Sequence, residues 1–249
     1  PEKREKVWRL EFKMRFKIEV DLQGVSLKLP LNYQEVIQGI LYHSLPEEVA
    51  NDAHRQEKGV RKMPLFTFSS LRGTYAINRE QGAIYFDSLY FFVSCLDDSL
   101  GFSLVTNLFK GITIFGHQFP CQITSLSDYG GGNWIELLSP VTVRKTNLDT
   151  KKTTYFEPNT MEFTSAIYQN LKRKYQYYYG AEYEGPFALS ANPESVKKWI
   201  VTYKGTNIRA YSGRFHLVAS PEAMALLYNI GLGEKNAQGF GMFQMLDDL

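Results

Sequence analysis

The sequence of 249 residues contains no apolar run near the roughly 18 residues that a membrane helix requires. Its richest stretch, Leu89 to Leu96, has the length of a strand, so an integral membrane protein is not expected. Cysteine is scarce as well. Cys95 and Cys121 are two thiols in a chain long enough to bury a core without staples. That usage points to a reducing compartment, and a cytoplasmic location is the expectation. An excess of charge of one sign is also missing: Lys+Arg 28 against Asp+Glu 26 leaves +2, and composition alone advertises no polyanionic partner. No two of the four histidines lie at helical ligand spacing, and Asp97-Asp98 and Asp247-Asp248 have no further ligands beside them. Neither a metal centre nor a cofactor is expected. What the chain has is apolar content, 44%, too much for a disordered polymer, and an aromatic surplus of 16 Tyr and 17 Phe.

Residues 1–13 carry no signal-peptide core, and regular patterning starts at Met14, so they are read as a leader outside the fold. Met14, Phe16, Ile18 and Val20 then alternate with Arg15, Lys17 and Glu19, the period of a half-buried strand. Asn32 and Glu35 form an N-cap and capping-box pair for a helix striped by Val36, Ile37, Ile40 and Leu41. Strands near 65–69, 83–86 and 90–96, a helix over 97–109 and strands at 112–115 and 118–125 complete a β-α-β-β-α-β order. Gly130-Gly131-Gly132 breaks the pattern, and the domain boundary is placed there, giving units 14–132 and 133–249. The second unit opens with a strand over 134–143. Asn159 and Glu162 start a long helix striped by Phe163, Ile167, Leu171 and Tyr175. Strands over 187–189, 197–204 and 208–218 follow, then a helix capped by Ser220 with Pro221 in its first turn, then a strand over 240–246. The order repeats, and the fold class predicted is α+β: tandem ferredoxin-like (RRM-like) domains.

Between the last helix and the last strand lies Gly231-Leu-Gly233-Glu-Lys235-Asn-Ala-Gln-Gly239-Phe-Gly241. Four glycines in eleven residues suit a loop whose backbone approaches a partner closely, with its N–H groups forming a cradle for phosphate oxygens. The order helix–loop–strand fits neither the dinucleotide fingerprint nor the P-loop. Basic residues cluster in this half at Arg144-Lys145, Lys151-Lys152 and Lys172-Arg173-Lys174. Such clusters suit either a solvated face or an anion-binding surface.

The glycine loop resembles the C-terminal signature of the RAMP superfamily, and within it the CRISPR repeat-RNA processing endoribonucleases. Met14-Arg-Phe-Lys-Ile18, Gln38-Gly-Ile-Leu-Tyr42, Leu138-Ser-Pro140 and Phe215-His-Leu217 extend the likeness over nearly the whole chain. The resemblance implies two ferredoxin-like domains and metal-free cutting of precursor CRISPR RNA, leaving a 2′,3′-cyclic phosphate and a 5′-hydroxyl. The implied partner is CRISPR repeat RNA, and a homodimer or a CRISPR effector complex is the assembly to look for. The alternative is a non-catalytic RNA-binding subunit of such a complex.

Metal-free cleavage needs a base for the 2′-hydroxyl proton, an acid for the leaving oxygen and a cation on the phosphorane; histidine suits either proton role. By resemblance the cutting group consists of Tyr42, His54 and one of Lys58 and Lys62, with His43 as the rival histidine. Read alone, Tyr42 packs equally well as a helix-face aromatic, and Lys58 and Lys62 as solvated charges. Gly231, Gly233, Lys235, Gly239 and Gly241, with Arg144, Lys145, Lys151, Lys152, Lys172, Arg173 and Lys174, are the residues expected to hold the RNA.

Overall fold

Period-two alternation builds two sheets of the same design. The structure, a computed structural model, describes residues 15–47, 63, 66–96, 98–126 and 131–247. Strand β1 (Arg15–Val20) buries Phe16, Ile18 and Val20 and turns Lys17 and Glu19 to the other face. Helix α1 (Gln34–His43), strands β2 (Phe66–Phe68) and β3 (Leu89–Cys95), helix α2 (Asp98–Leu108) and strand β4 (Cys121–Leu126) follow. These strands form an antiparallel sheet in the order β2-β3-β1-β4. Strand β5 (Trp134–Leu137), helix α3 (Met161–Tyr179), strands β6 (Phe187–Ala191) and β7 (Arg214–Ala219), helix α4 (Pro221–Ile230) and strand β8 (Phe243–Met245) repeat the order. The second sheet runs β6-β7-β5-β8. In each, the first strand sits between the third and the fourth, and the architecture is a tandem of ferredoxin-like folds.

Each sheet packs one face on its helices. Ile18, Phe91 and Val93 meet Ile37, Leu41 and Leu104 in the first core; Ile135, Phe215 and Leu217 meet Ile167, Leu171 and Leu227 in the second. A further hairpin, 197–203 with 206–212, projects from the second half. No helix among the described residues is long and apolar enough to cross a membrane.

The structure departs from the sequence reading mainly at element ends. Tyr33, not Asn32, is the N-cap of α1, and its side chain caps no N–H of the first turn, its hydroxyl accepting from Leu71 N–H instead. Glu35 instead accepts from the Lys204 backbone N–H at 2.6 Å, so the capping box gives way to a long-range contact. Thr160 caps α3 through Phe163 N–H, while Asn159 pins Ala191 on the edge strand through both polar atoms of its amide. Ser220 caps α4 as expected, accepting from Ala223 N–H. The strand expected over 208–218 is two strands, parted at Gly213 (φ 140°). The last strand spans only three residues, because the glycine loop runs on through Gly241. Arg15, expected on the polar face of β1, is buried against the other half of the molecule.

Candidate nucleic-acid interface

Glu35, Gln38 and Tyr42 are spaced three and four apart and share one face of α1. That face meets the carboxy-terminal half. Gln38 Nε2 donates to Ala237 O of the glycine loop at 2.8 Å, and Gln38 Oε1 accepts from the Tyr203 hydroxyl of the projecting hairpin. Tyr42, at the end of the row, packs its ring edge-on to Phe66 with centroids 5.3 Å apart. Burial raises its phenol above the ordinary value of 10.0. Tyr203 rises further, to about 12, through burial and then the negative charge of Glu35. Both hydroxyls therefore keep their protons at neutral pH and act as donors.

The glycine loop lies in the seam between the halves and contributes to all three apolar clusters. Leu232 joins the second core, Ala237 packs on the first, and Phe240 fills the cluster under the hairpin with Val201, Tyr203 and Ile208. Close approach explains the glycines. At Gly233 (φ +71°) a Cβ would lie 2.8 Å from Thr142 O, and at Gly239 (φ +83°) it would enter the Phe68 ring. Much of the expected amide cradle is used internally. The N–H groups of Leu232, Glu234, Gly239 and Gly241 donate to Gly241 O, Thr142 O, Asn236 O and Pro140 O. Two of these bonds hold the loop's own shape and two dock it on the segment at 140–142.

Lys174 corrects the sequence reading. It is buried, 1% exposed, and does not belong to a solvent-facing basic cluster. Its ammonium donates to Gly231 O at 2.6 Å, Gly233 O at 2.9 Å and Asn236 Oδ1 at 2.9 Å, three acceptors for three N–H groups. Burial pulls its pKa down to about 7. Beside it the buried Glu234 carboxylate lies 3.5 Å from Arg144 Nε and 3.8 Å from Arg173 Nη2. Clusters far apart in sequence therefore converge on the loop, placing three cations around one carboxylate. Lys235 Nζ donates to Gln238 Oε1 at 3.3 Å.

The remaining expected residues are dispersed. Lys145, Lys151 and Lys152 stand exposed on and beside the hairpin 144–146 with 153–155, and Lys172 lies over Tyr168 with Nζ 5.9 Å from the ring centre. His43 is exposed, its Nδ1 2.7 Å from Gly39 O. His54, Lys58 and Lys62 lie outside the described residues. Sequence reasoning missed Glu35, Gln38, Tyr203 and Asn236. The spacing of Glu35, Gln38 and Tyr42 was the available signal, a polar row beside the apolar stripe.

Residues 128–245 match the family described as CRISPR associated protein Cas6, C-terminal. The chain is 24% identical to CRISPR-associated endoribonuclease Cas6 1 of Methanocaldococcus jannaschii over 243 residues, covering 94% of each. It is 26% identical to CRISPR-associated endoribonuclease Cas6 of Pyrococcus furiosus over 249 aligned positions, covering 93% of this chain and 90% of that one. Among solved structures, a CRISPR associated protein Cas6 superposes with a TM-score of 0.74 at 21% identity, over 94% of this chain and 100% of the other. A RAMP protein described as binding different RNA substrates gives 0.75 at 19% identity, with the same coverage.

Proposed function

We propose, from the premise that residues 128–245 belong to the Cas6 C-terminal family and that the whole chain has the Cas6-type tandem fold, that this protein is an endoribonuclease cutting precursor CRISPR RNA within its repeats. In this reading one unit runs over residues 14–132 and the other over 133–249. The observation that carries the reading is the bond from Gln38 to Ala237, which ties the helix bearing Tyr42 to the loop expected to hold RNA. Arg144 and Arg173 at Glu234 add positive charge beside that loop, where the phosphate backbone would run.

The mechanism is transesterification. The ribose 2′-oxygen attacks the adjacent phosphorus while a histidine takes its proton, and the bond to the 5′-oxygen breaks as that oxygen is protonated. The products are a 2′,3′-cyclic phosphate and a 5′-hydroxyl. His54 is assigned the proton-transfer role, with His43 its rival. Lys58 or Lys62 is assigned the phosphorane charge, and Tyr42 orients the linkage through its hydroxyl. A positioned acid or base contributes about 10²–10⁴-fold, and in-line positioning adds to it.

The test is incubation with repeat RNA in chelator, with end-group analysis of the fragments. Cleavage should persist and leave cyclic phosphate ends. His54→Ala should slow single-turnover cleavage by about two orders of magnitude or more, with affinity within a few-fold of wild type. Wild-type cleavage by that variant moves the role to His43. No cleavage by the wild-type protein, with RNA still bound, leaves a passive RNA-binding subunit.

A further inference from the structure

Helix α2 buries Leu100, Leu104 and Leu108 in the first core and turns an uncharged row to solvent. Ser99, Phe102, Thr106 and Phe109 are spaced three, four and three apart, and all four are exposed. The bond from Phe109 N–H to Val105 O at 2.9 Å carries the helical path on to Phe109, so the row is continuous over about 15 Å. Phe102 is 70% exposed and Phe109 61%, so the fold of one chain leaves most of both rings uncovered. A helix face that meets only water is polar and usually charged; this one presents two large rings between two small hydroxyl residues. The charges stand at the ends. Asp98 opens the first turn, and Lys110 follows the last, its ammonium 3.0 Å from Asn107 Oδ1.

We propose that this face pairs with its own copy, making the protein a dimer through two α2 helices packed antiparallel about a two-fold axis. The row complements itself in that direction. With the axis level with Leu104, Phe102 of each copy comes level with the partner's Thr106, and Phe109 with the partner's Ser99. Each ring then meets a small residue instead of another ring, the large-against-small fit by which helix seams interdigitate. The same apposition brings the acidic end of each helix level with the basic end of the other, Asp98 with the partner's Lys110, and opposes the helix dipoles. A parallel pair would set ring on ring and acid on acid. Aromatic residues at the centre with charge at the rim are the distribution of a protein interface. An isologous contact closes on itself, so assembly stops at two copies. The pairing uses no residue of the seam and is independent of the nuclease reading, since each copy keeps its own glycine loop and Tyr42.

Sedimentation of the full chain over a concentration series, without RNA, should show a reversible dimer. Phe102→Glu and Phe109→Glu together should weaken it by about a hundredfold or more, because the rings lie at the centre of the contact. Leu148→Glu, at a side chain 80% exposed elsewhere, should leave it unchanged. Direction is read by electron paramagnetic resonance from nitroxides on Ser103→Cys or Lys110→Cys, in a chain with Cys121→Ser and the buried Cys95 retained. In the antiparallel pair the two labels are offset along the helix axes by about 3 Å at Ser103 and about 18 Å at Lys110, so the distance measured is longer at Lys110. A parallel pair has no offset at either position. A monomer at every concentration overturns the proposal and leaves the face to a different protein. A dimer that survives the paired glutamates, or one without the offset, overturns it as well; should the glutamate variant not fold, the label distances decide alone.

Discussion

Tyr42 and Lys174 show how burial turns ordinary side chains into position-holding groups. The Tyr42 ring is fixed against Phe66, and desolvation keeps its hydroxyl protonated, so it can donate a hydrogen bond but not take a proton. Tyr42→Phe preserves the packing and deletes the donor. We expect an unchanged Tm and single-turnover cleavage slower by about tenfold. The alkaline limb of the pH–rate profile should not move, since the phenol ionises above its range. Lys174 is held by three oxygens of the glycine loop. Lys174→Met strands those acceptors, and a loss on the order of 3 kcal/mol is expected from denaturant unfolding. Its pKa, about 7 folded against the ordinary 10.5, sets a sign. Below pH 7 both states carry the proton and the burial penalty is complete. Between about 7 and 10.5 the unfolded chain binds more protons, so this group's contribution to stability rises with pH. The gap between wild type and K174M should therefore widen as pH climbs through that window, and a gap that narrows would refute the assignment.

At the scale of elements, the glycine loop owes its composition to close packing. Gly239→Ala drives a methyl into Phe68 at the border of both halves, and we expect a loss above about 2 kcal/mol with weaker RNA binding. Gly205→Ala is the control: its φ is also positive, +72°, but nothing lies within 4 Å of the added Cβ. It should cost about 1 kcal/mol, the backbone term alone. Thermal unfolding of the pair separates the two contributions. The strands and helices around the loop were legible because burial imposes periods of 2 and 3.6; Phe16, Ile18 and Val20, or Phe163, Ile167 and Leu171, can be read directly. The ends were less legible. Asn32 and Glu35 match a capping box in spelling, yet Glu35 binds Lys204, whose approach depends on a hairpin 169 residues away. The loop's function as a seam was also hidden, since glycine spacing reveals permissive backbone but not whether its N–H groups are already paired.

At the scale of the molecule, two cores are joined by polar contacts that no local pattern encodes. Arg15 shows this most sharply. Its place in an alternating strand reads as solvent-facing, but its Nη1 and Nη2 donate at 2.7 Å to Phe243 O and Tyr228 O, and its guanidinium stacks 3.5 Å from the Tyr228 ring centre. Burial lowers its pKa only to about 10, so it remains charged at neutral pH. Ser94 and Thr67 reach Tyr228 O and Phe240 O from neighbouring strands, so the far face of the first sheet is anchored to the end of α4 and the loop. If these bonds couple the halves, the molecule unfolds as one unit, although each half has a core of its own. Arg15→Met takes the charged donor from Phe243 O, leaves Tyr228 O with only the longer bond from Ser94 Oγ, and removes the stacked cation, a loss of about 3 kcal/mol at the junction with little change inside either core. Native-state hydrogen exchange reads the consequence. In the wild type, the slowest amides of β1–β3 and of β5–β7 should exchange with the same free energy, that of global unfolding. In R15M the two sets should part, one half opening without the other. Should they remain coincident while both fall equally, the seam would be a passive contact and the coupling would have to run through the chain connection instead.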